Sequence, residues 1–164
     1  MPREIRTLLG ALDEAYKGPA WHGPSLRASL SRVTSKQAAQ RPAPGRHNIW
    51  ELTVHAAYWK YAVRRQLRGD SRGSFNEEGS NWFQRAAENL NPATKEALWR
   101  QDLAALNREH QSLLRAVRKI RESQLDRRVP KSKYTRRQMI AGVAFHDVYH
   151  AGQIQLLKRL LSKK

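Results

Sequence analysis

His146 and His150 stand one helical turn apart, and the imidazoles of such a pair can converge on one point. They fall on a seam that runs in alternating steps of three and four: Met139, Val143, His146, His150, Gln153, Leu157 and Leu160. Three polar residues thus occupy the middle of a stripe that is apolar at both ends. Burying an unpaired polar side chain costs roughly 1–3 kcal/mol, and a divalent metal between the two rings would offset that cost. A third histidine, His55, lies beside the apolar face of another helical stretch, one turn after Leu52 and one turn before Trp59. Three neutral imidazoles from two helices form a facial set that leaves coordination positions open, the mark of a catalytic rather than a purely structural site. An all-nitrogen donor set accepts Zn, Ni, Fe or Co, so the metal itself is not read from the ligands.

Each residue near this set has a plainer reading. A lone histidine on an apolar seam is ordinarily a hydrogen-bonded core residue, and His110 is read that way. Glu51, one turn before His55, can reach a metal or orient a ligand; its spacing from Asn48 equally makes it the second half of a capping box. Gln153, one turn past His150, is a candidate to hydrogen-bond a ligand ring or a substrate, against simple polar packing between helices. Asp147 follows His146 as Glu follows the first His of zincins, but its side chain is shorter and it lies off the seam. Tyr58, Trp59 and Trp99 read as core, Gly152 as a point of close helix approach, and His22 and His47 as residues near helix starts.

The elements that must position these residues follow from periodicity and caps. A first helix spans about 3–17, ended by Gly18-Pro19; Leu26, Leu30 and Val33 mark a short second segment, and 34–40 one more turn. A strong helix covers about 48–69, opened by Asn48 and carrying Ile49, Leu52, Ala56, Trp59 and Val63 on its apolar face. Residues 69–93 read as a long connection carrying a Trp82-Phe83 patch and at most one helical turn. A third long helix runs about 95–121, with Thr94 as its expected cap. After Val129-Pro130, Thr135 and Gln138 form a capping box that opens the last helix, about 135–162. There are no convincing strands, so four main helices with amphipathic seams imply an all-α bundle.

With 164 residues and 40% hydrophobic content, the chain suits one domain, 1–164, with a real core. There is no cysteine, which excludes disulfides, Cys-type zinc sites and a cysteine nucleophile. No secretory signal or run of ~18 apolar residues is visible, and the expectation is a cytoplasmic protein without a membrane role. The net charge of +17 raises the prior for anionic partners. The densest basic segment runs from Arg115 to Lys133, but basic residues are spread along the chain and no base-reading motif accompanies them. No specific nucleic-acid partner is expected.

Ile49-Trp50-Glu51-Leu52-Thr53-Val54-His55 and His146-Asp147-Val148-Tyr149-His150-Ala151-Gly152-Gln153-Ile154 resemble the two signature regions of the DinB-like (DinB/YfiT) superfamily. The turn Trp21-His22-Gly23-Pro24-Ser25-Leu26 is also similar to members of it. The resemblance implies a four-helix bundle of up-down-down-up connectivity and a divalent metal held by three histidines, which map onto His55, His146 and His150. It also implies a metalloenzyme acting on a small-molecule substrate: a thiol S-transferase or isomerase using a low-molecular-weight thiol, or a hydrolase activating water. DinB-like proteins are often homodimers, and the Trp82-Phe83 patch is a candidate for the interface. Two other readings stand beside the enzyme: a metal-binding stress-response protein whose metal only holds the bundle together, and a basic nucleic-acid binder.

Overall fold

The structure, a computed structural model, describes residues 1–70, 73, 75–85 and 89–162. The connection 69–93, expected to carry at most one helical turn, includes residues 71, 72, 74 and 86–88, which lie outside the described ones. Among these residues six α-helices follow one another: α1 (Arg3–Tyr16), α2 (Leu26–Ser29), α3 (Ser35–Ala39), α4 (Ile49–Arg68), α5 (Pro92–Arg118) and α6 (Arg136–Leu161), with a 3-10 turn at Glu122–Gln124. Among the described residues there is no strand, only a single antiparallel bridge between Arg128 and Thr135.

Local chemistry sets the helix ends. Asn48 opens α4 by accepting from the Glu51 N–H at 2.8 Å, and Gly69 closes it in the left-handed region at φ 75, where a side chain would be strained. Thr135 and Gln138 form the expected reciprocal capping box on α6. Helix α5 begins three residues earlier than the sequence suggests. Asn91, not Thr94, is its cap, accepting from the Thr94 N–H at 2.9 Å, and Pro92 takes the first helical position, where its missing N–H costs nothing.

Side-chain contacts give the direction of each long helix. Trp50 meets Asp102 and Arg64 meets Glu109, so α4 and α5 run parallel. Glu4 meets Arg137 near the starts of α1 and α6, so these two also run alike. Asp13 meets His110 while Tyr16 meets Asn107, so α1 opposes α5; His55 meets His150 while Lys60 meets Asp147, so α4 opposes α6. The bundle is therefore up-down-down-up, and the parallel pair α4–α5 requires the long crossover between them.

The core is divided along the bundle axis. One apolar group gathers Trp50, Leu52, Trp99, Leu106 and Ile154; the other gathers Leu9, Leu12, Leu113, Val117 and Ile140. Between them lies a polar layer with one or more residues from each long helix: Asp13 and Tyr16, Lys60, His110 and Asp147. His110 Nε2 donates to Asp13 Oδ1 at 3.1 Å and its ring stacks on Tyr16 at 3.9 Å; the Lys60 ammonium sits 5.1 Å above the Tyr16 ring and pairs with Asp147. His110 is thus a core histidine. Burial, helped by the Lys60 charge and opposed by Asp13, lowers its pKa to about 4.

Candidate metal centre

Helix α6 buries Ile140, Val143, Ala144, Asp147, His150, Ala151 and Ile154. That stripe is rotated by about one position from the seam read in the sequence. Asp147, expected off the seam, is fully buried, whereas His146 and Gln153 sit at the half-buried rim and Leu160 is exposed. Asp147 pairs with Lys60 inside the bundle, unlike the Glu that follows the first His of zincins and acts as a general base. Gly152 is exposed and a Cβ there would meet nothing within 4 Å, so it mediates no close helix approach.

The rotation leaves the rim histidine facing α4. His146 Nε2 lies 3.1 Å from His55 Nε2 and 3.0 Å from His150 Nε2. The three residues each offer one ligand atom, all within 4.8 Å of one another. The outer nitrogens decide what the inner ones carry. His55 Nδ1 lies 2.6 Å from the Asn81 carbonyl oxygen, which only accepts, so His55 Nδ1 bears the proton and its Nε2 presents a lone pair. His150 Nδ1 lies 2.6 Å from Gln153 Oε1 and follows the same logic. Two lone pairs therefore point at His146 Nε2, which can donate at most one proton, while buried His146 Nδ1 has no partner. Three imidazoles so arranged are short of a cation, and a divalent metal fits the donor set.

Burial also keeps the rings neutral. It lowers His146 to about 3, with the neighbouring His150, His55 and Lys60 adding to the shift. It lowers His150 to about 4 against the hydrogen bond to Gln153, and it holds His55 below its ordinary value despite Asn81. Unprotonated imidazole is the form that binds metal.

Glu51 is elsewhere. Burial would push its carboxyl up, but Arg41 and His47 hold it below the usual carboxylate range; His47 Nδ1 is 3.0 Å from Glu51 Oε2. Only half of the capping box forms, since Asn48 accepts from the Glu51 backbone while the Glu51 side chain turns to Arg41. Gln153, by contrast, braces His150 directly.

Five residues act here in ways that sequence reasoning missed. Asn81, with positive φ of 69, uses its backbone oxygen on His55 and its side-chain oxygen on the Trp59 indole N–H at 2.9 Å. Trp82 lies between His47 and His55, stacked at 3.7 Å and 3.9 Å. Phe83 is buried against Tyr58 and Phe75. Phe83 of the Trp82-Phe83 patch therefore turns inward, while Trp82 stacks on the histidines and keeps one side exposed. Trp59 is also more than core: half-buried, it packs edge-on against His55 and His146. Lys60, which meets Asp147, was missed too, and a lone cation among the apolar positions 49–63 of α4 was its signal.

A family model described as the DinB superfamily matches residues 21–154. Among solved structures, the crystal structure of a conserved protein from Enterococcus faecalis is similar over 98% of this chain and 96% of that one, at TM-score 0.63 and 17% identity. At that identity the likeness speaks for the fold alone. No curated protein gives a match.

Proposed function

This chain belongs to the DinB superfamily, and from that premise we propose that it is a divalent-metal-dependent enzyme of the thiol S-transferase or hydrolase type, with His55, His146 and His150 as the metal ligands. The observation that carries the reading is the convergence of three neutral Nε2 atoms whose outer nitrogens, at His55 and His150, are anchored to oxygen acceptors. Zn, Ni or Fe at such a site supplies Lewis-acid activation of a thiol or a water, producing a nucleophile near neutral pH.

The chain's own residues supply orientation and shelter. The Asn81 carbonyl and Gln153 fix the tautomers of His55 and His150. Trp82 and Trp59 wall the histidines on the α4 side and exclude water, which strengthens every charge interaction there. On the α6 side the Tyr149 ring meets the His150 ring edge-on at 5.1 Å. With no cysteine in the chain, the thiol is a separate low-molecular-weight co-substrate. Supporting a homodimer is the outer face of α6. From Gly142 to Leu157 it carries no Lys, Arg or Glu, its one Asp is buried, and Phe145, Tyr149 and Leu156 are exposed. On a chain of net charge +17, such a face suits a second, equally cationic copy.

The test is turnover. Protein reconstituted with Zn, Ni or Fe is incubated with low-molecular-weight thiols and small electrophiles, and thiol consumption is followed. Metal-dependent consumption is expected, falling at least ~100-fold in His146→Ala. Equal rates in the wild type and His146→Ala would remove the enzyme reading, leaving a metal that serves the fold alone.

A further inference from the structure

At the opposite end of the bundle from the histidines, a cavity of about 570 Å³ opens where α4 and α5 finish and α6 begins. Helix rise places it roughly 15–20 Å from the three histidines, since Arg64 and Arg68 lie nine and more residues beyond His55 on α4. Five cationic side chains line it, Arg64, Arg68, Arg115, Lys119 and Arg136, against one carboxylate, Asp70. Two of the five are already neutralised: Arg64 by Glu109 at 3.2 Å and Arg68 by Asp70 at 3.1 Å. The other three have no carboxylate within ion-pair distance among the described residues. Arg115 reaches only the Ser112 hydroxyl, at 2.8 Å, and Arg136 only the Arg127 and Arg128 carbonyls, each at 3.4 Å.

Cations at the ends of α4 and α5 have an ordinary explanation, because basic residues favour the negative end of the helix dipole. That explanation fails for Arg136. It is the first residue of α6, at the positive end, and the first turn of α6 has no acidic residue to balance it. Like charges facing one another across a cavity repel unless an anion lies between them. The cavity also offers neutral donors at Ser112 and Gln124, and an apolar floor of Leu67, Ala116 and Ile120.

We propose that this basic cavity is a binding site for a small molecule carrying two or more phosphates, gripped by Arg115, Lys119 and Arg136. The size is that of small-molecule sites, about 300–1,000 Å³. No aromatic residue lines it, so it offers no platform for stacking a nucleobase or threading a nucleic-acid strand. Guanidinium forks match phosphate oxygens in pairs, and two Arg with one Lys suit more than one phosphate group. The site is independent of the metal centre and does not rest on the function proposed for it.

The experiment is a calorimetric titration with inorganic tripolyphosphate at fixed ionic strength. It uses the wild type, Arg115→Gln, Lys119→Gln, Arg159→Gln and His146→Ala. Arg115 and Lys119 are exposed, so their substitution leaves the core intact. Saturable binding is expected, weakened about tenfold by either of those two substitutions and unchanged by the others. Equal weakening by Arg159→Gln, on the exposed surface of α6 well away from the cavity, would mean diffuse charge attraction and overturn the site. Loss in His146→Ala would place the anion at the metal centre and overturn it too. So would the absence of saturation. A parallel titration with a short single-stranded oligonucleotide separates the remaining source: if Arg115→Gln and Lys119→Gln weaken the oligonucleotide as much as tripolyphosphate, the surface is a nucleic-acid path and the proposal fails.

Discussion

Lys60 and Asp147 meet in the middle of the bundle with no solvent exposure on either side chain. Burial pushes the Asp147 carboxyl up and the Lys60 ammonium down, and the partner's charge opposes each shift. Removing one partner strands a buried charge, so Lys60→Met should destabilise by about 3–5 kcal/mol. Replacing both, as Lys60→Met with Asp147→Leu, should cost clearly less than the single change, and urea denaturation of the three variants reads the difference. A Lys60→Met protein as stable as the wild type would mean that the pair contributes nothing. The pair was hidden in the sequence because Asp147 was assigned to the wrong face by one helical position. The three histidines were legible because their types and spacing carry chemistry whichever face the helix turns. Asn81 was not legible, since it acts through its backbone oxygen, which any residue possesses. Gln153 sat one turn from His150 and was recognisable for that reason alone.

At the scale of elements, the caps test the helix boundaries. Asn91 satisfies an N–H at the start of α5 with its side chain, while Thr94 is already inside the helix. Asn91→Ala should therefore cost about 1 kcal/mol and Thr94→Ala a few tenths, measured by thermal or chemical unfolding. The reverse order would return the start of α5 to Thr94. Sequence periodicity placed all four long helices, because each buries a stripe longer than three turns. It misplaced the stripe on α6, where Asp147 is buried and His146 is not fully so; a polar residue that pairs inside the bundle is indistinguishable by pattern from one facing water. The crossover between α4 and α5 was read as a long loop, and the structure adds its purpose: residues 75–85 lay Asn81 and Trp82 over His55.

Across the whole molecule, the polar layer of Asp13, Tyr16, Lys60, His110 and Asp147 sits between two apolar groups and couples all four long helices. It also joins the metal-site histidines in setting how stability responds to pH. His146, His150 and His110 are lowered to about 3, 4 and 4, chiefly by burial. Unfolded, each takes up a proton near pH ~6.5, so below that pH the unfolded chain binds more protons than the folded one. Their stabilisation is complete above pH ~6.5 and is lost as pH falls toward ~4. In the presence of a chelator, the melting temperature should drop by ~5 °C or more between about pH 7 and pH 4.5, and less in His146→Ala. A flat profile over that window would show these rings to be solvated. The up-down-down-up path itself came from family resemblance rather than from periodicity, because helix length and loop length do not encode direction; contacts such as Trp50 with Asp102 and Lys60 with Asp147 do.

The central claim is that His55, His146 and His150 together hold one divalent metal, and elemental analysis of purified protein tests it most directly. Wild type, His22→Ala and His110→Ala, each loaded with Zn and then desalted, should retain about one metal per chain. His55→Ala, His146→Ala and His150→Ala should retain little, while circular dichroism shows their helices intact. Retention in His146→Ala equal to that in His22→Ala would contradict the claim.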